Sequence, residues 1–439
     1  MAVRLPPAVV AASRSCPALV NRPTVPGSPA CDHAGVRRPA GARLAVACAV
    51  AVAVTVVVAG CGDSSTPAPS ASLPTTATTA GSASPTPSSD TAATCARSIV
   101  DRMGLAARAG QLLMVGVPAT DPGSGVSLVR AYLLGGVFLR GRTTSGVDHT
   151  KDGVGALQAA ARAATGMRLE VAADQEGGQV QTLKGPGFST IPSALTQGTW
   201  STSRLRSTTT VWATQMVDAG LTLDLAPVAD TVATQDADEN PPIGRYDRQY
   251  GSDPSVVAQK VSVVVSAMHG VGLGATVKHF PGLGRVHANT DTSTHAVDDV
   301  TTANDPNLQP FAAGMAAGAT AVMVSSASYP QLDPHHLAVF SPAVVTGLLR
   351  QQMGWTGLVM TDDVGSAVAV QSVAPADRAT MFVAAGGDVV LTVDAADARP
   401  MTVALAQRAA ADATFASLVD AAVYRVVLTK VQGGLARCG

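Results

Sequence analysis

Gly357-Leu358-Val359-Met360-Thr361-Asp362-Asp363 is a short apolar run that stops on two carboxylates. Its apolar residues are continuous and do not alternate, the pattern of a parallel strand buried on both faces. Runs of the same character recur at Leu112 to Val117, Gly136 to Leu139, Leu169 to Ala173, Leu223 to Val228, Ala275 to His279, Ala319 to Ser325 and Asp388 to Val393. Amphipathic stretches separate them. The clearest opens at Ser252-Asp253-Pro254, where Ser or Asp caps a helix, Pro suits its first turn, and Val257, Val261, Val264, Val265 and Met268 form one apolar stripe. Eight β-α repeats in about 340 residues predict an α/β fold, a single (β/α)8 barrel of the TIM type. An open doubly wound sheet is the competing architecture, but no Gly-x-Gly-x-x-Gly loop follows the first strand.

Polar residues gather at one end of these runs. Asp174, Gln175 and Glu176 follow the third, Asp230 the fourth, Lys278 and His279 close the fifth, and Asp362 and Asp363 the seventh. A barrel brings the C-terminal ends of its strands together, so these distant groups are expected to share one site. Each Asp alone would pass for a helix cap. Their joint placement is what points to catalysis.

Upstream of the barrel the chain has a different character. Residues 1–60 read as an export signal: a long basic region with Arg37, Arg38 and Arg43, then an apolar run from Leu44 to Gly60. An uncleaved signal anchor is the competing reading of that run. The basic region is long enough to suggest a translation start further down, near Val36. Val58-Ala59-Gly60-Cys61 is similar to the bacterial lipobox, which implies acylation of Cys61 and a lipid anchor on the outer face of the cell membrane. From 61 to 94 the composition turns to Ser, Thr, Pro and Ala, too polar to bury a core and expected to be a disordered tether. The remaining region, 95–439, is the folded domain. Past the tether only Cys95 and Cys438 remain, bracketing that domain, and in an exported protein the pair is expected to form a disulfide.

Charge and composition exclude other classes. The 30 Lys+Arg against 31 Asp+Glu leave no basic excess for binding nucleic acid. Aromatics at 3% are too few for a broad sugar-stacking platform. His287, His295 and Asp291 share a loop, but no helical His-x-x-x-His or Cys pair accompanies them, so neither metal nor cofactor is expected.

Five motifs in order carry a family resemblance: Asp174-Gln175-Glu176-Gly177-Gly178, Ala226-Pro227-Val228-Ala229-Asp230, Ile243-Gly244 with Arg248-Gln249-Tyr250-Gly251-Ser252-Asp253-Pro254, Lys278-His279-Phe280-Pro281-Gly282, and the run ending in Asp362-Asp363. From about Met103 to Leu435 the chain resembles glycoside hydrolase family 3, most of all its single-barrel β-N-acetylglucosaminidases acting on cell-wall fragments. The resemblance implies an exo-acting, retaining hydrolase, and the chain is expected to be a monomer. Asp362 would be the nucleophile that forms a glycosyl ester, Asp363 a neighbour or cap, and Asp174, Arg248, Lys278 and His279 would hold the sugar. A β-glucosidase, or a sugar-binding lipoprotein that kept the barrel without efficient chemistry, are the alternatives.

Two departures stand out. Where relatives carry an Asp-Ser-His acid/base segment after the fifth strand, this chain reads Asn289-Thr290-Asp291-Thr292-Ser293-Thr294-His295. Either Asp291 and His295 form a re-spaced dyad, or Asp291 acts alone as a carboxylic acid whose pKa burial has raised. Relatives also place arginines after Gly-Gly, where this chain has Gln179 and Thr182, so its leaving-group site is expected to be less charged.

Overall fold

The computed structural model describes residues 89–438. The signal segment, Cys61 and almost all of the tether lie outside the described residues.

Eight parallel strands form the core: β1 (Leu113–Pro118), β2 (Gly136–Arg140), β3 (Glu170–Ala173), β4 (Leu223–Asp224), β5 (Gly274–Phe280), β6 (Ala321–Val324), β7 (Leu358–Thr361) and β8 (Val390–Thr392). Each pairs with its neighbour in sequence, and β8 pairs with β1. Between β7 and β8 a single parallel bridge, Met360 with Val389, nearly completes the circle. The fold is therefore the expected (β/α)8 barrel. The strands carry the continuous burial that their apolar runs predict; all of β3, β6, β7 and β8 is buried.

Strand β4 is shorter than its apolar run. Ala226-Pro227 interrupts the ladder, because proline has no N–H to donate, and pairing resumes only at a Val228 to Lys278 bridge. The helix expected after Ser252 spans Pro254–His269. The Asp253 carboxylate caps it by accepting from the Ser255 and Val256 N–H groups, and its five predicted stripe residues are all buried.

Polar groups tie the barrel where apolar packing cannot. Asp388, fully buried before β8, accepts from Arg350 Nη2 (2.6 Å), from Arg425 Nε (2.7 Å) and from the Val359 N–H (2.8 Å). One carboxylate thus joins two outer helices to β7, and its buried charge is offset by two guanidinium groups. At the domain ends, Cys95 in helix Ser89–Asp101 is bonded to Cys438, with Cα atoms 5.6 Å apart. That helix packs on the C-terminal helix Ala413–Gln432.

Candidate active site

The C-terminal ends of the strands surround a cavity of ≈ 500 Å³. Asp174, Arg248, Lys278, His279, Asp291 and Asp362 line it. Six of the seven residues expected to touch substrate therefore converge, although they are spread over nearly 190 positions of sequence.

The floor is a lattice of ion pairs. Lys278, buried at the end of β5, places Nζ 2.6 Å from Asp174 Oδ1 and 2.6 Å from Glu176 Oε1. Arg248 grips Glu176 with two parallel bonds, Nε to Oε2 (2.8 Å) and Nη2 to Oε1 (2.7 Å). Burial opposes the charge on Glu176, but Arg248 and then Lys278 overcome it and hold the carboxyl at about 2. Lys278 is likewise held above its ordinary range: burial lowers it, and Asp174 and Glu176 more than compensate. Both cations stay charged, with spare N–H donors for hydroxyl oxygens.

Local backbone explains why the motif after β3 reads Gln-Glu-Gly-Gly. The chain turns back as a hairpin, Gln175–Gly177 against Val180–Gln181. Gly177 makes the turn at φ 104°, where a Cβ would lie 2.3 Å from the Pro192 carbonyl oxygen, so only glycine fits.

Asp230, which follows β4, is completely buried and serves His279. Its Oδ2 accepts from His279 Nδ1 (2.7 Å), and its Oδ1 accepts from the backbone N–H groups of His279 (3.2 Å) and Leu283 (2.8 Å). A carboxylate only accepts, so Nδ1 carries the proton and Nε2 is left facing Arg248 Nη2 at 3.4 Å. Sequence reasoning placed Asp230 at the site without its role. It missed Asp224 altogether, because that residue sits inside an apolar run. Buried beside Lys278 at the end of β4, Asp224 accepts from the Gln175 N–H (3.1 Å), and desolvation pushes it up to about 8 despite Lys278.

The seventh strand delivers two carboxylates with different employment. Asp362 is half-buried and faces the cavity; its Oδ1 accepts only the neighbouring Asp363 N–H (2.8 Å). Asp363 is committed to backbone, accepting from Gly365 (2.8 Å), Val393 (2.9 Å) and Ser366 (3.0 Å). It caps the turn after β7 and fastens it to β8.

That turn in turn holds the loop after β5. The Ala369 N–H donates to the Thr290 carbonyl (3.0 Å) and the Val368 N–H to the Asp291 carbonyl (3.3 Å). At the loop's base, the Asn240 amide donates to the Leu283 and Val286 carbonyls, and Arg285 pairs with Asp305. Asp291 is solvent-accessible as a residue, yet it lines the cavity. Desolvation first, and then the negative charge of Asp362, raise its carboxyl above the usual range.

The two loop histidines are placed elsewhere. His295 is exposed, its Nδ1 is 2.9 Å from Thr294 Oγ1, and it is not part of the cavity wall. His287, also exposed, meets the Glu239 carbonyl (3.3 Å). The re-spaced Asp291–His295 dyad is therefore not formed. A four-residue separation in a loop without regular structure imposes no common face, and the local Thr294 hydroxyl claims the ring. Among the described residues, no group of three or more His, Cys, Asp or Glu is arranged to hold a metal ion.

The family model described as "Glycosyl hydrolase family 3 N terminal domain" matches residues 105–429. A beta-hexosaminidase of Xanthomonas euvesicatoria pv. vesicatoria is 37% identical over 249 residues, covering 54% of this chain and 71% of the relative. The crystal structure of a beta-N-acetylhexosaminidase from Beutenbergia cavernae matches with a TM-score of 0.73 at 47% identity, covering 75% of this chain and 98% of that one. A glycosyl hydrolase of the GH3 family from Mycobacterium smegmatis matches with a TM-score of 0.65 at 27% identity, covering 75% and 98%.

Proposed function

The chain belongs to glycosyl hydrolase family 3, and on that premise we propose that it is an exo-acting β-N-acetylhexosaminidase that releases terminal β-linked N-acetylglucosamine from cell-wall fragments. The beta-hexosaminidase and beta-N-acetylhexosaminidase names of its relatives support the activity. One observation carries the chemistry: Asp362 and Asp291 meet at one cavity whose floor is built from Asp174, Glu176, Arg248, Lys278 and His279.

In this reading the floor cations donate to the hydroxyl oxygens of the terminal sugar, and the Asp174 carboxylate accepts from its hydroxyl groups. Asp362 attacks the anomeric carbon as a free carboxylate, the C–O bond to the leaving group breaks, and Asp291 donates its proton to the departing oxygen. Water then cleaves the glycosyl ester, with Asp291 taking the water's proton. A raised Asp291 suits both halves, because it is protonated when needed as an acid and ionised after the first step. Asp174 and Glu176 offset the charges of Lys278 and Arg248, and the Asp362 carboxylate stabilises the oxocarbenium character that develops on the ring.

A panel of aryl glycosides tests the assignment. Hydrolysis of the N-acetylglucosaminide at a kcat/KM at least about tenfold above that of the glucoside is the expected result. The reverse order would make the protein a β-glucosidase, and no turnover of any glycoside would leave the barrel a sugar-binding module.

Export and lipid anchoring through Cys61 belong to the same proposal, resting on the lipobox-like Val58-Ala59-Gly60-Cys61. Labelled fatty acid should enter the wild-type protein and be absent from Cys61→Ala; equal labelling of both would overturn the anchor.

A further inference from the structure

Four arginines gather at the base of the barrel, the end opposite the cavity. Arg130 lies in the last turn of the helix Val126–Tyr132 that leads into β2, Arg162 in the last turn of the helix Gly146–Thr165, Arg168 two residues before β3, and Arg437 in the segment after the C-terminal helix. Hydrogen bonds hold these segments side by side: the Glu170 N–H donates to the Gly135 carbonyl (3.1 Å) and the Arg168 N–H to the Leu435 carbonyl (2.8 Å). Arg130, Arg162 and Arg437 are exposed, and Arg168 is half-buried.

Their own segments supply no exposed counter-charge. Residues 126–136, 157–170 and 431–438 contain these four arginines and a single acidic residue, Glu170. Glu170 is buried and accepts from Thr222 Oγ1 (2.5 Å). Among the described residues no carboxylate pairs with any of the four arginines. The patch ends at Asp218, which closes the helix before β4. Helix C-termini favour cations, which accounts for Arg130 and Arg162. Arg168 and Arg437 lie outside any helix, so that local role does not explain them.

The opposite rim has the reverse balance. The segments after β4 and β5, 225–253 and 281–305, expose Asp238, Glu239, Asp247, Asp253, Asp291 and Asp299 against Arg245 as their one exposed Lys or Arg. The barrel is therefore polarised, basic at its base and acidic around its cavity. The chain joins the barrel near the basic end. The helix Ser89–Asp101 carries Cys95, which is bonded to Cys438, the neighbour of Arg437. Ser89 lies about 9 Å along the helix axis from Cys95.

We infer that this arginine-bearing base is a docking surface for an anionic lipid bilayer. Guanidinium groups bind phosphate oxygens through paired donors, and clustered arginines are drawn to the negative surface potential of a leaflet. The same potential repels the acidic rim, so docking by the base turns the cavity away from the bilayer. A chain anchored through Cys61 would meet the bilayer at the end where it joins the barrel, which favours lipid over a soluble polyanion as the partner. The surface goes beyond the hydrolase reading and depends neither on it nor on the acyl group.

Co-sedimentation with vesicles tests the surface, using the full chain with Cys61→Ala so that no acyl group contributes. It should bind vesicles of mixed phosphatidylglycerol and phosphatidylcholine at least about tenfold more tightly than vesicles of phosphatidylcholine alone, with the difference shrinking at high salt. Arg130→Gln, Arg162→Gln, Arg168→Gln and Arg437→Gln together should remove most of that preference, and the four corresponding Arg→Lys changes should keep it. Arg37, Arg38 and Arg43 are present in every chain compared and so do not contribute to the difference. None of the four side chains has a hydrogen-bond partner among the described residues, so both variants should fold, which circular dichroism checks. A preference that persists in the Gln variant overturns the base as the docking surface. Complete displacement from the vesicles by soluble poly(glycerol phosphate) at equal phosphate concentration overturns the lipid assignment and makes an anionic polymer the partner.

Discussion

Asp362→Ala is expected to lower kcat/KM on every N-acetylglucosaminide by on the order of 10⁴-fold or more, whatever the leaving group. In the proposed mechanism both chemical steps pass through this carboxylate, which first forms the glycosyl ester and then leaves it. No neighbour is free to take its place. The Asp363 oxygens are occupied by three backbone N–H groups, and Asp174 is clamped by Lys278. The substitution should leave the fold intact, because the only hydrogen bond to the Asp362 side chain comes from the adjacent Asp363 N–H. Circular dichroism on the variant checks that point. A folded variant within about tenfold of wild type would remove Asp362 from the mechanism.

Asp291→Ala should divide substrates by leaving group. General acid catalysis contributes about 10²- to 10⁴-fold, so kcat/KM on a disaccharide should fall by that order. On an activated aryl glycoside, whose departure needs little protonation, kcat/KM should fall far less. Turnover of that aryl substrate should still slow after an initial burst, because deglycosylation has lost its base. The pH profile supplies a second reading. Burial and the charge of Asp362 raise the Asp291 carboxyl, so the acid form persists above the ordinary carboxylate range. Activity on the disaccharide should fall as pH rises through that raised value, and this limb should vanish in Asp291→Ala. His295→Ala should keep the limb, since its ring is held by Thr294 outside the cavity wall. A limb that instead disappears with His295 would restore the re-spaced dyad and displace Asp291.

What the sequence revealed and what it hid follow from the range of the interactions. Continuous apolar runs are a local signature of a doubly buried strand, so all eight strands were readable to within a few residues, as was the Asp253-capped helix. The clustering of Asp174, Lys278, His279 and Asp362 was legible because barrel geometry fixes where strand ends point, whereas Arg248, in the long segment between β4 and the helix Pro254–His269, was placed there only by the family resemblance. Side-chain direction within irregular loops has no such rule. Asp291 and His295 were both candidates on spacing; the Val368 and Ala369 donors from another loop hold the backbone at Asp291, and the Thr294 hydroxyl holds the His295 ring outside the cavity wall. Asp224 was hidden by its apolar neighbours, which made it read as part of a strand.

The bond between Cys95 and Cys438 gives the barrel region the topology of a closed ring, with a sequence separation of 343 between the joined residues. A protease that cuts one surface loop turns this ring into an open string and frees no fragment. Two cuts are needed before any piece can leave, and the joined ends stay together even then. A once-cut barrel thus keeps every strand at high local concentration and can close up again around its own site.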